Sequence, residues 1–305
     1  MKFETLGVIG YGEVGKTFSA GLKPRVASVA VWDLKFAAPA TSERELAHAK
    51  QASLIACVSM RDLCQRSDLV ISAVTASNTL AVAREAALHI RPGSVFLDLN
   101  SASPGTKEQA AALIDGASAH YVEAGVMTSV PPYGIRVPML LGGARAADLA
   151  EVLNAWGMDA KPVSDRLGVA SAIKMCRSVM IKGLEALVIE SYTTARMHGV
   201  EDYVLPTLQE TFPSIDWQAQ GAYFFSRVVQ HGKRRAEEMH EAARTVREAG
   251  FDPVMSAAIA AKQDGMARLA ATGTFAGLNA TSPWQDYADR LIAQSNDPAP
   301  ERPVQ

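Results

Sequence analysis

Gly10, Gly12 and Gly15 stand in the run Gly7-Val8-Ile9-Gly10-Tyr11-Gly12-Glu13-Val14-Gly15, with the spacing G-x-G-x-x-G. A short apolar run, Leu6–Ile9, precedes them, and a helix-like stretch, Glu13–Leu22, follows. In that setting the first glycine permits a tight strand-to-helix turn. The second lets backbone approach a pyrophosphate, and the third lets helix and strand pack closely. The helix start would aim unpaired N–H groups at the phosphates. Gly10, Tyr11, Gly12, Glu13, Val14 and Gly15 are therefore expected to bind a dinucleotide. Asp33 lies 18 residues beyond Gly15, at the end of a second apolar run. A carboxylate there accepts ribose hydroxyls and repels a 2′-phosphate, which favours NAD as cofactor. Lys35 is a cation that can tolerate that phosphate, so NADP stays open. Val74 and Thr75 follow one further apolar run, and Asn100 and Ser101 follow another. Such positions form the ligand crevice of an open parallel sheet. Val74, Thr75 and Asn100 are expected at the cofactor and Ser101 at the substrate.

These residues need a scaffold, and the first 163 residues supply alternating strand and helix signals. Strand-like runs fall at Leu6–Ile9, Val29–Trp32, Leu54–Val58, Leu69–Val74, Val95–Leu99, His120–Val126, Pro138–Leu141 and Ala160–Val163. Helix-like stretches lie between them. Ser59 with Asp62 is a capping signal, and Pro104 opens a helix. This alternation predicts an α/β domain, a doubly wound and mostly parallel Rossmann sheet, over 1–163. From about Leu167 to His198 the pattern is one long helix. Helical stretches then follow at Tyr203–Glu210, Trp217–His231, Arg234–Ala249, Pro253–Ala271 and Pro283–Gln294. An all-α domain over 164–295, begun by the long interdomain helix, is expected. A disordered tail over 296–305 is expected from its three prolines.

Composition narrows the function classes. Of 305 residues, 48% are hydrophobic and 20% charged, which rules out a wholly disordered chain. Lys+Arg 30 against Asp+Glu 32 argues against a nucleic-acid partner. Cys57, Cys64 and Cys176 have neither metal-ligand spacing nor an even count. No disulfide framework, no metal site and a cytoplasmic location are expected. No apolar stretch has the length of a membrane span, so no membrane partner is expected.

The glycine turn, the run Asp98-Leu99-Asn100-Ser101-Ala102-Ser103-Pro104 and the run Gly168-Val169-Ala170-Ser171-Ala172-Ile173-Lys174 together resemble the β-hydroxyacid dehydrogenases. That family includes 3-hydroxyisobutyrate and 6-phosphogluconate dehydrogenases. The resemblance covers nearly the whole chain. Lys182 and Arg234-Arg235-Ala236-Glu237-Glu238-Met239 look like a divergent, phosphogluconate dehydrogenase-like branch with its own C-terminal domain type. The resemblance implies that Lys174 is the general acid/base. Its apolar neighbours Ala172, Ile173, Met175 and Cys176 lead to the expectation of a buried lysine near the bound nicotinamide, where desolvation would destabilise its ammonium and suit proton exchange near neutral pH.

Two departures from the family pattern concern the substrate. Ser178 stands four residues after Lys174, where the family usually has asparagine. The family's D-A-P-V-S-G-G loop corresponds to Glu123-Ala124-Gly125-Val126-Met127-Thr128-Ser129, so Met127 replaces a carboxylate-gripping serine. Thr128, Ser129, Ser178, Lys182, Lys233 and Arg235 are the remaining candidate substrate contacts. The resemblance implies hydride transfer between a nicotinamide and the alcohol carbon of a small hydroxy acid: a 3-hydroxy acid, a sugar acid or a β-hydroxy-α-amino acid. It also implies a homodimer. An NADPH-dependent ketone or imine reductase on the same scaffold is the rival enzyme, marked by turnover without a substrate carboxylate. A catalytically silent dinucleotide-binding protein is the rival of another class, marked by binding without turnover.

Overall fold

Apolar and β-branched runs pair into one eight-stranded sheet in the computed structural model, which describes residues 1–296. The strands are β1 (Thr5–Ile9), β2 (Ser28–Trp32), β3 (Ile55–Ala56), β4 (Leu69–Ser72), β5 (Val95–Asp98), β6 (His120–Val126), β7 (Pro138–Gly142) and β8 (Asp159–Ser164). Their order is β3-β2-β1-β4-β5-β6-β7-β8. All neighbours are parallel except β6 and β7. The chain steps outward from β1 to β3 and then crosses back to β4. That reversal opens a crevice at the carboxyl ends of β1 and β4.

The strand period of two separates the sheet's cores. Leu6, Val8, Leu69 and Ile71 enter one buried cluster, while Ile9, Val70 and Phe96 enter another. The connecting helices are α1 (Glu13–Leu22), α2 (Ser42–Gln51), α3 (Met60–Arg66), α4 (Thr79–Ala87), α5 (Pro104–Gly116) and α6 (Ala146–Ala155). Ser59 Oγ caps α3 by accepting from the Asp62 N–H at 3.1 Å. Ser103 Oγ caps α5 by accepting from the Thr106 N–H at 3.2 Å, and Pro104 opens that helix.

The remaining helices are α7 (Val169–His198), α8 (Glu201–Thr211), α9 (Trp217–Glu248), α10 (Val254–Ala271) and α11 (Trp284–Asn296). The chain splits into two compact units. One is Met1–Arg177 with Arg244–Phe251; the other is Ser178–Ala243 with the described residues from Asp252 onward. The second unit's core is aromatic: Tyr192, Phe225, Trp284 and Tyr287 are buried together, with the Tyr192 and Trp284 rings 4.8 Å apart.

The structure corrects several expected boundaries. The two helices expected at Trp217–His231 and Arg234–Ala249 are the single helix α9. Gly232 does not break it, because its missing side chain permits close packing. A Cβ there would lie 2.9 Å from the Gln263 carbonyl oxygen and 3.1 Å from Ala267 Cβ. The strand expected to reach Val74 stops at Ser72, and the Val74 N–H turns to Asn100 Oδ1 at 2.7 Å. The third strand shrinks to two residues. The expected tail, apart from Asn296, lies outside the described residues. Among the described residues, no helix is long and apolar enough to cross a membrane.

Candidate cofactor and catalytic site

The turn between β1 and α1 separates the roles of its three glycines. Gly10 has φ +94°, the left-handed region, and its N–H donates to the Trp32 carbonyl at 2.9 Å. A side chain there would overlap the Ala73 carbonyl, and one at Gly15 would overlap the Gly10 carbonyl. Both glycines are demanded by the protein's own packing. Gly12 is different: a Cβ at this position would meet nothing within 4 Å. Gly12 is also the N-cap of α1 and supplies no capping side chain. The first-turn N–H groups, Glu13 and Val14 included, therefore lie beside open space at the positive end of a helix. That arrangement has the chemistry of an anion cradle.

Asp33 closes the neighbouring wall. Its carboxylate accepts from the Tyr11 N–H at 2.6 Å and the Lys35 N–H at 2.9 Å. These two bonds hold it at the carboxyl end of β2, while Lys35 itself is exposed. Tyr11 contributes backbone to the turn, but its ring is buried under the fold. The hydroxyl lies 2.8 Å from His48 Nδ1, and the ring meets Phe36 edge-on at 5.6 Å. Burial, with the Glu45 charge second, pushes the Tyr11 hydroxyl up to about 12. Lys16 lies 5.3 Å over the same ring and pairs with Glu45 at 2.6 Å. Hydrogen bonding from Lys16, then from Arg44, holds the Glu45 carboxyl down at about 2 against burial. Lys16, Glu45 and His48 carried no motif in the sequence; only their α-helical spacing on α1 and α2 could have flagged them.

At the ends of β4 and β5, Asn100 is a brace. Its Nδ2 donates to Ser72 Oγ at 3.0 Å, its Oδ1 accepts the Val74 N–H, and its own N–H donates to Asp98 Oδ1 at 2.8 Å. Asp98 is fully buried, paired with Lys107 at 3.0 Å and accepting from the Tyr121 hydroxyl at 2.6 Å. Burial, then the Asp98 charge, raises Tyr121 well above the ordinary range. Thr75 is exposed and bonded to Ser77 and Asn78, while Ser101 is half-buried beside the Asn100 brace. Glu248 reaches the start of α5, accepting from Ser103 Oγ at 2.8 Å and the Gly105 N–H at 3.0 Å.

Lys174, half-buried on α7, lies beside the end of β6. A Cβ on Gly125 would stand 3.4 Å from Lys174 Cβ and 3.0 Å from the Ala170 carbonyl oxygen. Thr128 is exposed and Ser129 half-buried in the segment just after β6, while the Met127 N–H donates to the Pro138 carbonyl at 2.9 Å. Gly10, Gly12, Gly15, Asp33, Val74, Thr75, Asn100, Ser101, Lys174, Thr128 and Ser129 thus all belong to the first unit.

The other expected substrate contacts belong to the second unit. Ser178 Oγ accepts from Lys182 Nζ at 3.2 Å, and Lys182 pairs with Glu238 at 2.8 Å. Arg235 makes a buried two-point contact with Glu185, its Nε at 2.8 Å, and Gln263 donates to the same carboxylate at 3.3 Å. Lys233 is exposed.

The open cradle at Gly12, the held acid at Asp33 and the switch in strand order define an NAD(P)-binding protein with a doubly wound sheet. Residues 5–159 match the NAD binding domain of 6-phosphogluconate dehydrogenase, and residues 195–266 match a domain of unknown function (DUF1932). The chain belongs to the family of that NAD-binding domain. A conserved hypothetical protein from Sinorhizobium meliloti 1021 is 38% identical, with 96% of this chain and 97% of that one covered and a TM-score of 0.75. A conserved protein of unknown function, MTH1747, described as structurally similar to 3-hydroxyacid dehydrogenases, is 33% identical. It aligns over 87% of this chain and 98% of its own, with a TM-score of 0.66. The 3-hydroxyisobutyrate dehydrogenase of Mycobacterium tuberculosis, solved with L-serine, shares the fold. Its TM-score is 0.69 at 15% identity, over 95% of this chain and 99% of that one.

Proposed function

We propose that this chain is an NAD-preferring dehydrogenase acting on the CH–OH group of a small hydroxy acid, with Lys174 as general acid/base. The observation that carries the reading is the place of Lys174: on α7, against Gly125 at the carboxyl end of β6, the same sheet edge that holds the Gly12 cradle. A bound nicotinamide would supply the hydride-accepting carbon. Gly12 and the first turn of α1 would hold the pyrophosphate, and Asp33 the adenosine ribose. Lys174 Nζ would take the proton from the substrate hydroxyl as the alcohol is oxidised and return it in the reverse direction. Positioned acid–base work of this kind is worth about 10²–10⁴-fold. Ser178 and Lys182 remain our candidates for the substrate's polar groups, with the Lys182 amine held by Ser178 Oγ and Glu238. Thr128, Ser129 and Ser101 are the hydroxyls we assign to the substrate on the sheet side. A homodimer is part of the same reading, supported by apolar side chains exposed on α7: Met180 at 74% and Leu187 at 56%.

The test is a screen at 340 nm of wild type and Lys174→Ala, with NAD and NADP in parallel, against hydroxy acids, sugar acids and β-hydroxy-α-amino acids. The expected result is reduction of NAD by one substrate class, lost by about 10²-fold or more in the variant. Full turnover by Lys174→Ala would exclude the assigned base. A second reading, reduction of a ketone or cyclic imine, draws on one observation: Glu238 and Glu185 already pair Lys182 and Arg235, two groups offered for a substrate carboxylate. Oxidation of NADPH by substrates without a carboxylate would favour it.

A further inference from the structure

The reaction proposed above depends on one amine, and the structure shows what holds the helical turn that carries it. Glu123 on β6 is fully buried. A buried carboxylate is costly unless its oxygens are satisfied. Its donors come from the first turn of α7. The Ala170 N–H donates to one oxygen at 3.1 Å, and the Ser171 hydroxyl donates to the other. Ala170 is the second residue of α7, so its N–H has no partner inside the helix. Glu123 is therefore a cap for α7 supplied by a strand, with its negative charge at the helix's positive end.

The sheet is built to admit this contact. Gly142 pairs with Glu123 across β6 and β7, and any side chain on Gly142 would overlap the Glu123 carboxylate. Two residues along β6, on the same face, Gly125 lets the Ala170 carbonyl and Lys174 Cβ come close. Helical geometry joins the two ends of the turn, since the Lys174 N–H bonds the Ala170 carbonyl. The neighbouring buried carboxylate has a separate partner: Asp98, beside Glu123 in the register of β5 and β6, is matched by Lys107. Glu123 is the one that faces the helix end.

We propose that Glu123 is a positioning residue for Lys174, clamping the first turn of α7 to β6 so that the amine is fixed at the sheet edge. This rests on the reading of Lys174 as general acid/base. The clamp itself can be tested without a substrate. Wild type, Glu123→Ala, Glu123→Gln and Ser171→Ala would be compared by hydrogen–deuterium exchange and by NADH affinity. Glu123→Ala is expected to speed exchange in residues 169–174 about ten-fold, the equivalent of losing one good cap. Exchange in α1 and the affinity for NADH should stay at wild-type values. Glu123→Gln keeps the shape and an acceptor for the Ala170 N–H, so most protection should return. Ser171→Ala, which removes one donor, should loosen the turn less and serves if Glu123→Ala fails to fold.

Turnover on the substrate found by the screen is the second readout. Glu123→Ala should lose about ten-fold or more in kcat with the KM for dinucleotide unchanged, because small misplacement of a reacting group is expensive. Glu123→Gln should restore most of it. Wild-type exchange over 169–174 in Glu123→Ala overturns the clamp, as does a rise shared equally by α1. If Lys174→Ala is inactive and Glu123→Ala has wild-type kcat, the positioning role falls alone. If Lys174→Ala stays active, the reading of the lysine falls, and exchange still decides whether the clamp exists.

Discussion

Gly12 differs from its partners in the motif by what surrounds it. Gly10 and Gly15 are pressed against backbone carbonyls, whereas a Cβ on Gly12 would stand in open space. This difference makes the motif testable one glycine at a time. Gly12→Ala should stay folded, at a cost of about 1 kcal/mol, because the added Cβ meets nothing while alanine caps a helix less well than glycine. Its NADH affinity, read by fluorescence titration, should fall by about ten-fold or more, the equivalent of ~1.4 kcal/mol. Unchanged affinity would mean that the pyrophosphate does not cross Gly12. At the same scale, the strand–turn–helix geometry around the glycines and the place of Asp33 at the end of β2 were legible because they are local. Lys107 and Tyr121 carried no signal, and Glu123 and Asp98 stood only as members of family-like runs, with no partner and no role of their own. A lone acid in a strand says nothing until the neighbouring strand or helix is placed against it.

Among the elements, α7 and α9 behave differently. The pattern of α7 was continuous in the sequence and the helix is continuous in the structure, from Val169 to His198. In α9 a glycine followed by charged residues reads as a break, and none occurs. A glycine in a helix weakens it by about 1 kcal/mol, which packing readily outweighs. At Gly232 the packing is with α10, near Gln263 and Ala267. Gly232→Ala gains helix propensity but places a Cβ 2.9 Å from a backbone carbonyl oxygen. The clash should prevail, with a net loss of roughly 1–2 kcal/mol. Urea denaturation measures it, and a stabilised variant would show that α9 and α10 can move apart at no cost. The reversal of β7 against β6 is a finding of the same kind: a short strand's direction is set by its partner.

For the molecule as a whole, acid is the condition to which the structure should be most sensitive. The Glu45 carboxyl is held at about 2 against an ordinary 4.5, and Asp62, Asp68, Glu201 and Asp289 are also lowered. The hydrogen bond from Lys16 is the largest cause at Glu45, and arginine hydrogen bonds lead at Asp62, Glu201 and Asp289. At Asp68, hydrogen bonds from Thr5, Glu4 and Arg91 together outweigh burial. A depressed carboxyl favours the folded state at pH values above its ordinary value. That contribution is lost as pH falls toward the folded value. Tm should therefore drop as pH is lowered from about 4.5 toward 2, the interval set by Glu45. Glu45→Gln should lower Tm at pH 7 and flatten the acid limb, measured by calorimetry across pH. An acid limb identical to wild type would show that Glu45 is not held by Lys16 and Arg44 in the folded protein.

The sequence by itself determined the alternation of strands and helices, the dinucleotide turn, Asp33, and the long helix that carries Lys174. Each is encoded in periodicity or in a motif whose parts lie close together along the chain. Tertiary structure decided which groups are already partnered. Lys182 meets Glu238 and Arg235 meets Glu185 only because α7 and α9 pack within one unit. Glu123 caps α7 only because β6 lies under its first turn. Asn100 becomes a brace because β4 and β5 are neighbours in the sheet. The reason is physical. Backbone propensity and apolar periodicity act over a few residues, whereas a hydrogen bond or ion pair between 47 residues, as from Ala170 to Glu123, exists only once the chain has closed on itself.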